Sequence, residues 1–265
     1  MEKKEINYDV GGVVNHFLKV LHDTNQIVTR LYHANKIHSE PVPLHETDSL
    51  PIVVGNLPEF TRDELKVESE MWLFKKAIEE LIVGLTLSLI AAHKIFKAVE
   101  LAKILIDNPI PELELNKKLD QIQRRPNKLP LPQLLDEIEK LSGSNLHLKN
   151  EILTMNQIRN CLVHRNGTVS SEDLNMDSQN ELTLIYIDMI NYAKKDGELV
   201  EMTRVLKKTP FVTKMIGFKS KETQISFKLG ERVILDQNIF TGVTYTAISF
   251  LMNLHSMCMA LKRNQ

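Results

Sequence analysis

The sequence predicts a mainly α-helical fold with a small antiparallel β segment before the last helix. Four long stretches place apolar residues at steps of three and four, the spacing that lines one face of a helix. Between residues 181 and 236 the pattern changes to short alternating segments separated by turn signals, as in antiparallel strands. We therefore expect bundle helices within 12–166 and 238–263, a β insertion at 181–236, and a single domain spanning 1–265.

The first two predicted helices carry most of the apolar residues of the bundle. The first runs from Gly12 to Ile37 and is followed by a proline-rich loop. Thr61 and Glu64 then form a capping-box pattern at the start of the second helix, which extends to about Leu105. Its apolar part would be about 54 Å long, which favours a bundle over α/β layers. The seam of the second helix consists of Phe74, Ile78, Leu81, Leu85, Leu89, Ala92, Phe96 and Val99.

Two further helices are predicted after a proline-punctuated connection. A short helix begins near Pro132 and ends at "SGSN". The third long helix covers Leu146 to about His164, where "RNG" ends it because Asn and Gly tolerate positive φ.

The rest of the chain combines the β insertion with the closing helix. The segments "ELVEMTRVL", "FVTKMIGF", "TQISFKL" and "RVILD" are predicted strands, whereas "ELTLIYIDMINYA" fits either a strand or a helix. The fourth long helix runs from Asn238 to Arg263.

Composition and charge favour a soluble protein in a reducing cytoplasm. The net charge is −1, so any polyanion must be bound by a local basic patch rather than by the field of the whole chain. The two cysteines, Cys161 and Cys258, are far apart and form no CxxC pair, which argues against a disulfide framework or a cysteine zinc site. The N-terminus lacks the apolar core of a signal peptide. The longest apolar run, Leu81–Ala92, is shorter than the roughly 20 residues that cross a bilayer, so no membrane partner is expected.

The third long helix places an arginine on its apolar face. On a helical wheel, Arg159 falls near the centre of an apolar arc of about 100°, and Asn160 and His164 lie four apart on one flank. The arc consists of Leu148, Ile152, Met155, Leu162 and Val163.

Purely structural roles exist for the arginine and for the histidine. An arginine keeps its proton in a protein, so Arg159 must either extend to solvent or pair with a buried carboxylate. His164 could simply stabilise the C-terminus of the helix, where a cation is worth about 0.3–1 kcal/mol. Taken singly, each residue fits such a role, and only their combination points elsewhere.

Arg159, Asn160 and His164 together form the pattern R-N-x-x-x-H, directly before the turn "RNG". This pattern resembles the R-x(4–6)-H motif of the HEPN family of helical-bundle domains, in which a polar residue, often Asn, follows the arginine. The order of elements is similar too: a long helix pair before the motif, an insertion after it and a closing helix. The resemblance is close over the motif helix and architectural elsewhere. It implies a HEPN-like helical bundle and a metal-independent ribonuclease without a cofactor, in which Arg159, Asn160 and His164 are the site residues.

The chemistry of RNA cleavage suits these residue types. RNA carries its own nucleophile, the 2′-hydroxyl. Imidazole groups in general exchange protons near neutral pH and can take the hydroxyl proton or supply one to the leaving 5′-oxygen. A fixed guanidinium stabilises the negative charge that gathers on the phosphorus oxygens, and an amide can orient the imidazole or donate to a phosphate oxygen. No metal is required for this route.

Helix geometry adds an expectation about assembly. Arg159 and His164 are five residues apart, about 140° around an ideal helix, so one helix is not expected to direct both at one phosphate. Two chains across a two-fold axis could do so, in agreement with the family habit of forming the site at a dimer interface. We therefore expect a homodimer with the apolar face of this helix at its interface.

The resemblance also suggests a biological role and leaves an alternative open. It suggests a toxin or phage-defence effector with a neutralising antitoxin or regulatory partner. Some HEPN toxins carry a tyrosine two residues after the histidine, which partner nucleotidyltransferases modify. Asn166 occupies that position here, which weakens the case for that regulation. The alternative function is a catalytically inactive HEPN-like module that binds a nucleotide or a protein.

Two other groups of residues are candidates for a zinc site and for RNA binding. His33, His38 and His45 have no accompanying cysteine, so surface histidines are favoured over a zinc site. The segment "QRRPNK" carries Arg124, Arg125 and Lys128, and a solvated charge run is favoured there over RNA backbone contact.

Overall fold

A computed structural model describes residues 10–37, 62–174, 180–195, 198–201 and 215–263. It is mainly helical, with a small antiparallel sheet before the last helix, as the sequence predicts. The elements in chain order are α1 (Gly12–Ile37), α2 (Arg62–Asp107), α3 (Glu112–Arg124), a 3₁₀ turn (Pro126–Lys128), α4 (Leu131–Ser142), α5 (Lys149–His164), β1 (Glu181–Lys195), β2 (Glu198–Glu201), β3 (Met215–Lys228) and α6 (Gln237–Arg263).

Helix α2 is the centre of the bundle. Its 46 residues extend over about 69 Å, and it contacts each of the other described α-helices. All eight residues of its predicted seam are buried. Phe17 of α1 and Phe250 of α6 are fully buried, and the rings of Phe74 and Phe240 lie 5.7 Å apart. Burying one such side chain contributes about 1.5–3 kcal/mol, so this seam supplies much of the stability of the bundle.

One segment of α2 has the length and composition of a membrane span. Glu70–Asp107 is the single such segment in the described part of the chain, and 61% of its most apolar window is buried inside the protein. A core helix of a soluble protein has these same properties, and the burial of the α2 seam fits that description.

The sheet has the strand order β2-β1-β3, with both pairings antiparallel. Strand β1 pairs with β3 over most of its length, with Leu182 opposite Phe227, and with β2 only near its C-terminal end. Leu182, Leu184 and Phe227 belong to the same hydrophobic core as the helices. The β segment is therefore packed into the helical core rather than set apart from it.

Among the described residues, no strand pairs with the second edge of the first half of β1, and helices cover that edge instead. The backbone amide of Ile185 donates to the Thr154 hydroxyl of α5 at 3.1 Å, and that of Ile187 donates to the Thr246 hydroxyl of α6 at 2.7 Å. Helix α6 comes close to the strand because Gly242 has no side chain: a Cβ there would overlap the Tyr186 ring. These contacts hold α5 and α6 against the sheet and satisfy amides that an open edge would expose.

Several predicted boundaries are wrong, each for a local reason. The connection after α2 contains α3, whose flanking prolines indicated a loop although Leu115, Leu119 and Ile122 are spaced as on one face of a helix. Helix α5 begins at Lys149 rather than Leu146, because Leu148 adopts a φ of 62° that no α-helix can include. The segment "RVILD" is not a strand; Arg232 forms one isolated bridge, to Thr168.

The other strand predictions are only partly testable. "TQISFKL" and the end of "FVTKMIGF" belong to the single strand β3, and "ELTLIYIDMINYA" is the strand β1. Thr61 of the predicted capping box, the end of "ELVEMTRVL" and the start of "FVTKMIGF" lie outside the described residues.

Candidate functional site

Helix α5 ends at His164 because the next residues turn sharply. Asn166 and Gly167 adopt φ values of 52° and 79°, as predicted for "RNG". The backbone amides of Arg165 and Gly167 both donate to the carbonyl oxygen of Cys161, at 3.0 and 3.1 Å. These bonds satisfy a carbonyl that the helix leaves unpaired at its end, and they fix the position of His164 in the last turn.

A buried ion pair holds the loop that follows. Arg165 Nε donates to Asp173 Oδ2 at 2.6 Å, and a second bond joins Arg165 Nη2 to Asp173 Oδ1. Asp173 is buried and also accepts the backbone amide and the hydroxyl of Ser170. Burial alone would raise the pKa of Asp173, but these hydrogen bonds outweigh it and hold the pKa below its ordinary value.

Arg159 lies at the margin of the buried face of α5, not at its centre. Ile158 and Cys161, which the predicted arc left out, are fully buried and extend the buried face away from Arg159. Leu148, counted in that arc, precedes the helix. The Arg159 side chain is 25% exposed, so its guanidinium reaches the surface.

The three predicted residues lie together at this surface. Arg159 Nη1 donates to Asn160 Oδ1 at 3.1 Å and approaches His164 Nε2 at 3.5 Å. A guanidinium can only donate, so the second contact needs the imidazole in the tautomer with an unprotonated Nε2. His164 is exposed. We call Arg159, Asn160 and His164 the motif cluster.

A single chain therefore brings both ends of the motif together. The expectation that one helix cannot place Arg159 and His164 at one phosphate is wrong. It treated both side chains as radial, whereas the arginine side chain is long enough to bend across the roughly 140° between them.

Helix α2 contributes charge beside the motif cluster. Glu79 Oε1 lies 4.0 Å from Arg159 Nη2, and Glu79 Oε2 accepts a hydrogen bond from Lys76 at 2.7 Å. The Lys76 bond is the largest cause that holds the pKa of Glu79 below its ordinary value, with smaller contributions from Arg159 and Lys75. Lys75, Lys76 and Arg159 surround the Glu79 carboxylate, so these four residues carry a net charge of +2 without His164. A patch of this charge suits a phosphate group.

Two features bear on the structural role considered for Arg159. The pairing with a carboxylate exists, but at 4.0 Å it is long, and neither side chain is fully buried. Arg159 Nε is buried and has no hydrogen-bond partner among the described residues. An ion pair that served only the fold would be expected to satisfy this donor.

Sequence reasoning missed Glu79, Lys76 and the Arg165–Asp173 pair. Glu79 and Lys76 lie about 80 residues before the motif, and no spacing rule links them to it. The sequence indicates Arg165 only as part of a turn, and it gives no sign that Asp173 has a role. Met71 of α2 lies beside Gly167, as Glu79 lies beside Arg159, so the two helices run antiparallel here. Only the fold supplies that alignment.

Metal ligands form no cluster in the part of the chain that the structure describes: no group of three or more His, Cys, Asp or Glu could hold an ion there. The side chain of His33, and His38 and His45, lie outside that part.

Comparison with known proteins finds no family model, no curated protein and no solved structure that matches this chain. The function is therefore inferred from the geometry and chemistry of the motif cluster.

Proposed function

We propose that this protein is a HEPN-like, metal-independent endoribonuclease whose catalytic residues are Arg159, Asn160 and His164. The observation that carries the proposal is the convergence of these side chains, with Arg159 Nη1 at 3.1 Å from Asn160 and 3.5 Å from His164 at an exposed helix end. A neutral imidazole accepts a hydrogen bond from a guanidinium, so the proposal rests on the meeting of all three residues and not on the Arg159–His164 contact alone.

Each residue has a definite task in this proposal. His164, with an unprotonated Nε2, takes the proton of the RNA 2′-hydroxyl. The 2′-oxygen attacks phosphorus, the bond to the 5′-oxygen breaks, and the departing oxygen takes a proton from solvent water, which leaves a 2′,3′-cyclic phosphate and a 5′-hydroxyl. The Arg159 guanidinium binds the non-bridging oxygens, where negative charge increases in the transition state. Asn160 holds the guanidinium in place through its Oδ1.

The charge pattern around the motif cluster supports an RNA substrate. Lys76 and Arg159 flank Glu79, and a phosphate could displace that carboxylate because the contact to Arg159 is long, at 4.0 Å. DNA binds such a patch as well as RNA does, but it lacks the 2′-hydroxyl and is not cleaved by this route.

The proposal includes a homodimer formed through α2. The expected interface on the apolar face of α5 is wrong, because that face is buried in the core of the same chain. Trp72, Val83 and Leu87 are exposed large apolar residues on this helix. They fall within about 80° of Glu79 on a helical wheel, so they form a stripe beside the motif cluster. Exposed apolar stripes mark interfaces more often than free surface. A two-fold axis on this stripe would bring two motif clusters side by side, although each chain already holds its own residues together.

The proposed setting is the cytoplasm, as a toxin or phage-defence effector under the control of a neutralising partner. The alternative is a catalytically inactive binding module. Glu79 favours that alternative, since a carboxylate next to Arg159 competes with phosphate.

The test is cleavage of a fluorescent RNA oligonucleotide by the purified chain, with and without EDTA, beside a DNA oligonucleotide of the same sequence. We expect RNA cleavage that survives EDTA, a 2′,3′-cyclic phosphate on the product and intact DNA. Contaminating ribonucleases give the same products, so Arg159→Ala protein purified in parallel is the necessary control.

The outcomes separate the two functions. Cleavage that EDTA abolishes, or that leaves a 5′-phosphate, rejects this mechanism. RNA binding without cleavage, weakened by Arg159→Ala, supports the inactive binding module instead.

A further inference from the structure

The single tryptophan of the chain, Trp72, lies on α2 with 60% of its surface exposed. In the part of the chain that the structure describes, no aromatic ring or cation stacks on its indole. A single exposed apolar side chain is common on protein surfaces and is not by itself a site. The role of Trp72 follows from its position beside the motif cluster.

The alignment of α2 with α5 places Trp72 close to the level of His164. Glu79 lies beside the motif arginine, and Met71 lies beside Gly167, eight residues away from them on each helix and in opposite chain directions. On this antiparallel count, His164 is level with position 74 of α2. Trp72 is two residues from that position, about 3 Å along the helix axis.

Trp72 also faces the same side of the helix pair as the motif cluster. The Arg159 guanidinium spans from Glu79 of α2, at 4.0 Å from Nη2, to His164 of α5, at 3.5 Å from Nη1. Both partners therefore lie on one side of the two helices. Trp72 is seven residues before Glu79, which is about 20° around the helix. The indole, the guanidinium and the imidazole thus border one surface.

The indole supplies a surface for a nucleobase, which the motif cluster lacks. The cluster and the neighbouring Lys76 offer charge and hydrogen-bond donors, and such groups bind the phosphates of any nucleic acid. Unpaired bases stack on aromatic side chains, with tryptophan among the residues that hold them. A duplex keeps its bases stacked on one another, so a single strand is the form that can use this ring.

We infer that Trp72 is a substrate-binding residue that stacks with a nucleobase of single-stranded RNA when a phosphate of that strand lies at the motif cluster. This assignment rests on the proposed ribonuclease function, which makes that phosphate the one that is cleaved. Every base has a π face, so stacking on Trp72 selects unpaired strands without selecting a sequence. Loops and free ends are therefore the expected targets, and duplexes are expected to stay intact.

The proposed homodimer is compatible with this role. Val83 and Leu87, the other exposed apolar residues of the α2 stripe, are 11 and 15 residues beyond Trp72, about 17 and 23 Å along the helix axis. A two-fold contact centred on Val83 and Leu87 places Trp72 at its margin, beside the motif cluster.

The test uses the fluorescence of Trp72, which reports on this position alone because the chain has one tryptophan. The ligand is a single-stranded 2′-O-methyl RNA oligonucleotide, which has no free 2′-hydroxyl and is not cleaved by the proposed route. We expect this ligand to quench the fluorescence to saturation. The same oligonucleotide as a duplex, or a strand with abasic spacers in place of its bases, should bind without quenching. The abasic strand should bind at least about fivefold more weakly.

Two variants of Trp72 separate stacking from a merely apolar role. Trp72→Phe and Trp72→Leu both keep an apolar side chain, but only phenylalanine keeps a ring. In fluorescence anisotropy with a labelled 2′-O-methyl oligonucleotide, Trp72→Leu should bind roughly 5- to 150-fold more weakly than wild type. Trp72→Phe should lose clearly less. Ile106→Ala, at an exposed apolar position near the far end of α2, should stay within about twofold of wild type.

The outcomes distinguish this inference from the ribonuclease proposal. Absence of quenching, equal quenching by the abasic strand, or equal affinities of Trp72→Leu and Trp72→Phe would overturn the stacking role. If RNA is cleaved and Trp72→Leu binds and cleaves like wild type, the ribonuclease stands and the stacking role fails. If quenching and the difference between the two variants are seen without any RNA cleavage, the stacking role stands and the ribonuclease fails.

Discussion

Two arginines six residues apart, Arg159 and Arg165, are expected to lose very different amounts of stability on the same substitution. Methionine keeps an unbranched side chain and removes the charge and all donors. Arg165→Met leaves the Asp173 carboxylate, which is 0% exposed, without its two guanidinium bonds. Loss of one partner of a buried pair costs about 3–5 kcal/mol. Ser170 still donates twice to Asp173, and Arg165 is 25% exposed, so the lower end, about 3 kcal/mol, is expected.

Arg159→Met should cost much less. This arginine loses a 4.0 Å ion pair and one bond to a partly exposed amide, and its unpaired buried Nε is removed as well. Such contacts are worth under about 1 kcal/mol. For a chain of this size, ~2–4 °C per kcal/mol gives a melting decrease of about 6–12 °C for Arg165→Met and under about 4 °C for Arg159→Met.

The assay is thermal unfolding by circular dichroism for both variants, at pH 7 and pH 5. In the native protein the pKa of Asp173 is lowered, so its stabilising effect is present above the unfolded value of about 3.9 and is lost as pH falls through the folded value. In Arg165→Met the guanidinium bonds that lower the pKa of Asp173 are gone, so burial raises that pKa. The difference in melting temperature between wild type and Arg165→Met should therefore be smaller at pH 5 than at pH 7. Equal melting decreases in the two variants at pH 7 would refute this account of both arginines.

Three further predictions concern assembly, thiols and packing. The protein should run at about twice its 30.4 kDa chain mass in light scattering. Leu87→Glu on the α2 stripe should give monomers, whereas Ile106→Glu should not, because this exposed position lies about 28 Å further along α2 and about 100° around it. Burial is the main cause that raises the pKa of Cys161 and of Cys258 to about 12 in each case. Ellman's reagent at pH 8 should therefore react with neither thiol in the native protein and with both after unfolding. Rapid reaction of the native protein would contradict the burial of the thiols. Gly242→Ala should lower the stability to urea by about 1–3 kcal/mol because the new methyl group overlaps the Tyr186 ring, and an unchanged midpoint would show that α6 and β1 are not packed so closely.

The helices that bury an apolar stripe could be predicted from the sequence, and α3 could not. Helix α2 contributes to the core along its whole seam, so its period of three and four is visible in the sequence. Helix α3 buries no side chain fully and lies between prolines, so the prolines indicated a loop although Leu115, Leu119 and Ile122 are spaced as on one helix face. The segment that forms β1 was ambiguous because Leu182, Thr183 and Leu184 are buried in succession, so both faces of the strand are covered there and the alternation of apolar and polar residues is lost.

The motif cluster was predictable in membership but not in geometry. Arg159, Asn160 and His164 lie within one turn and a half of one helix, so their approximate proximity follows from the sequence alone. The contact between Arg159 and His164 depends on the arginine rotamer, and the neighbouring Glu79 comes from a helix about 80 residues earlier. Sequence spacing contains neither kind of information.

The central claim is that His164 performs the proton transfer in RNA cleavage, and one pair of histidine variants tests it most directly. His147 is also exposed and lies at the opposite end of α5, so His147→Ala is a matched loss of a surface imidazole. Single-turnover cleavage rates of His164→Ala, His147→Ala and wild type should be measured on one RNA oligonucleotide, with melting temperatures to confirm equal folding. We expect His164→Ala to be slower by roughly 10²–10⁴-fold, the worth of a general acid or base, with His147→Ala equal to wild type. Equal rates for the two histidine variants would contradict the assignment of catalysis to the motif cluster.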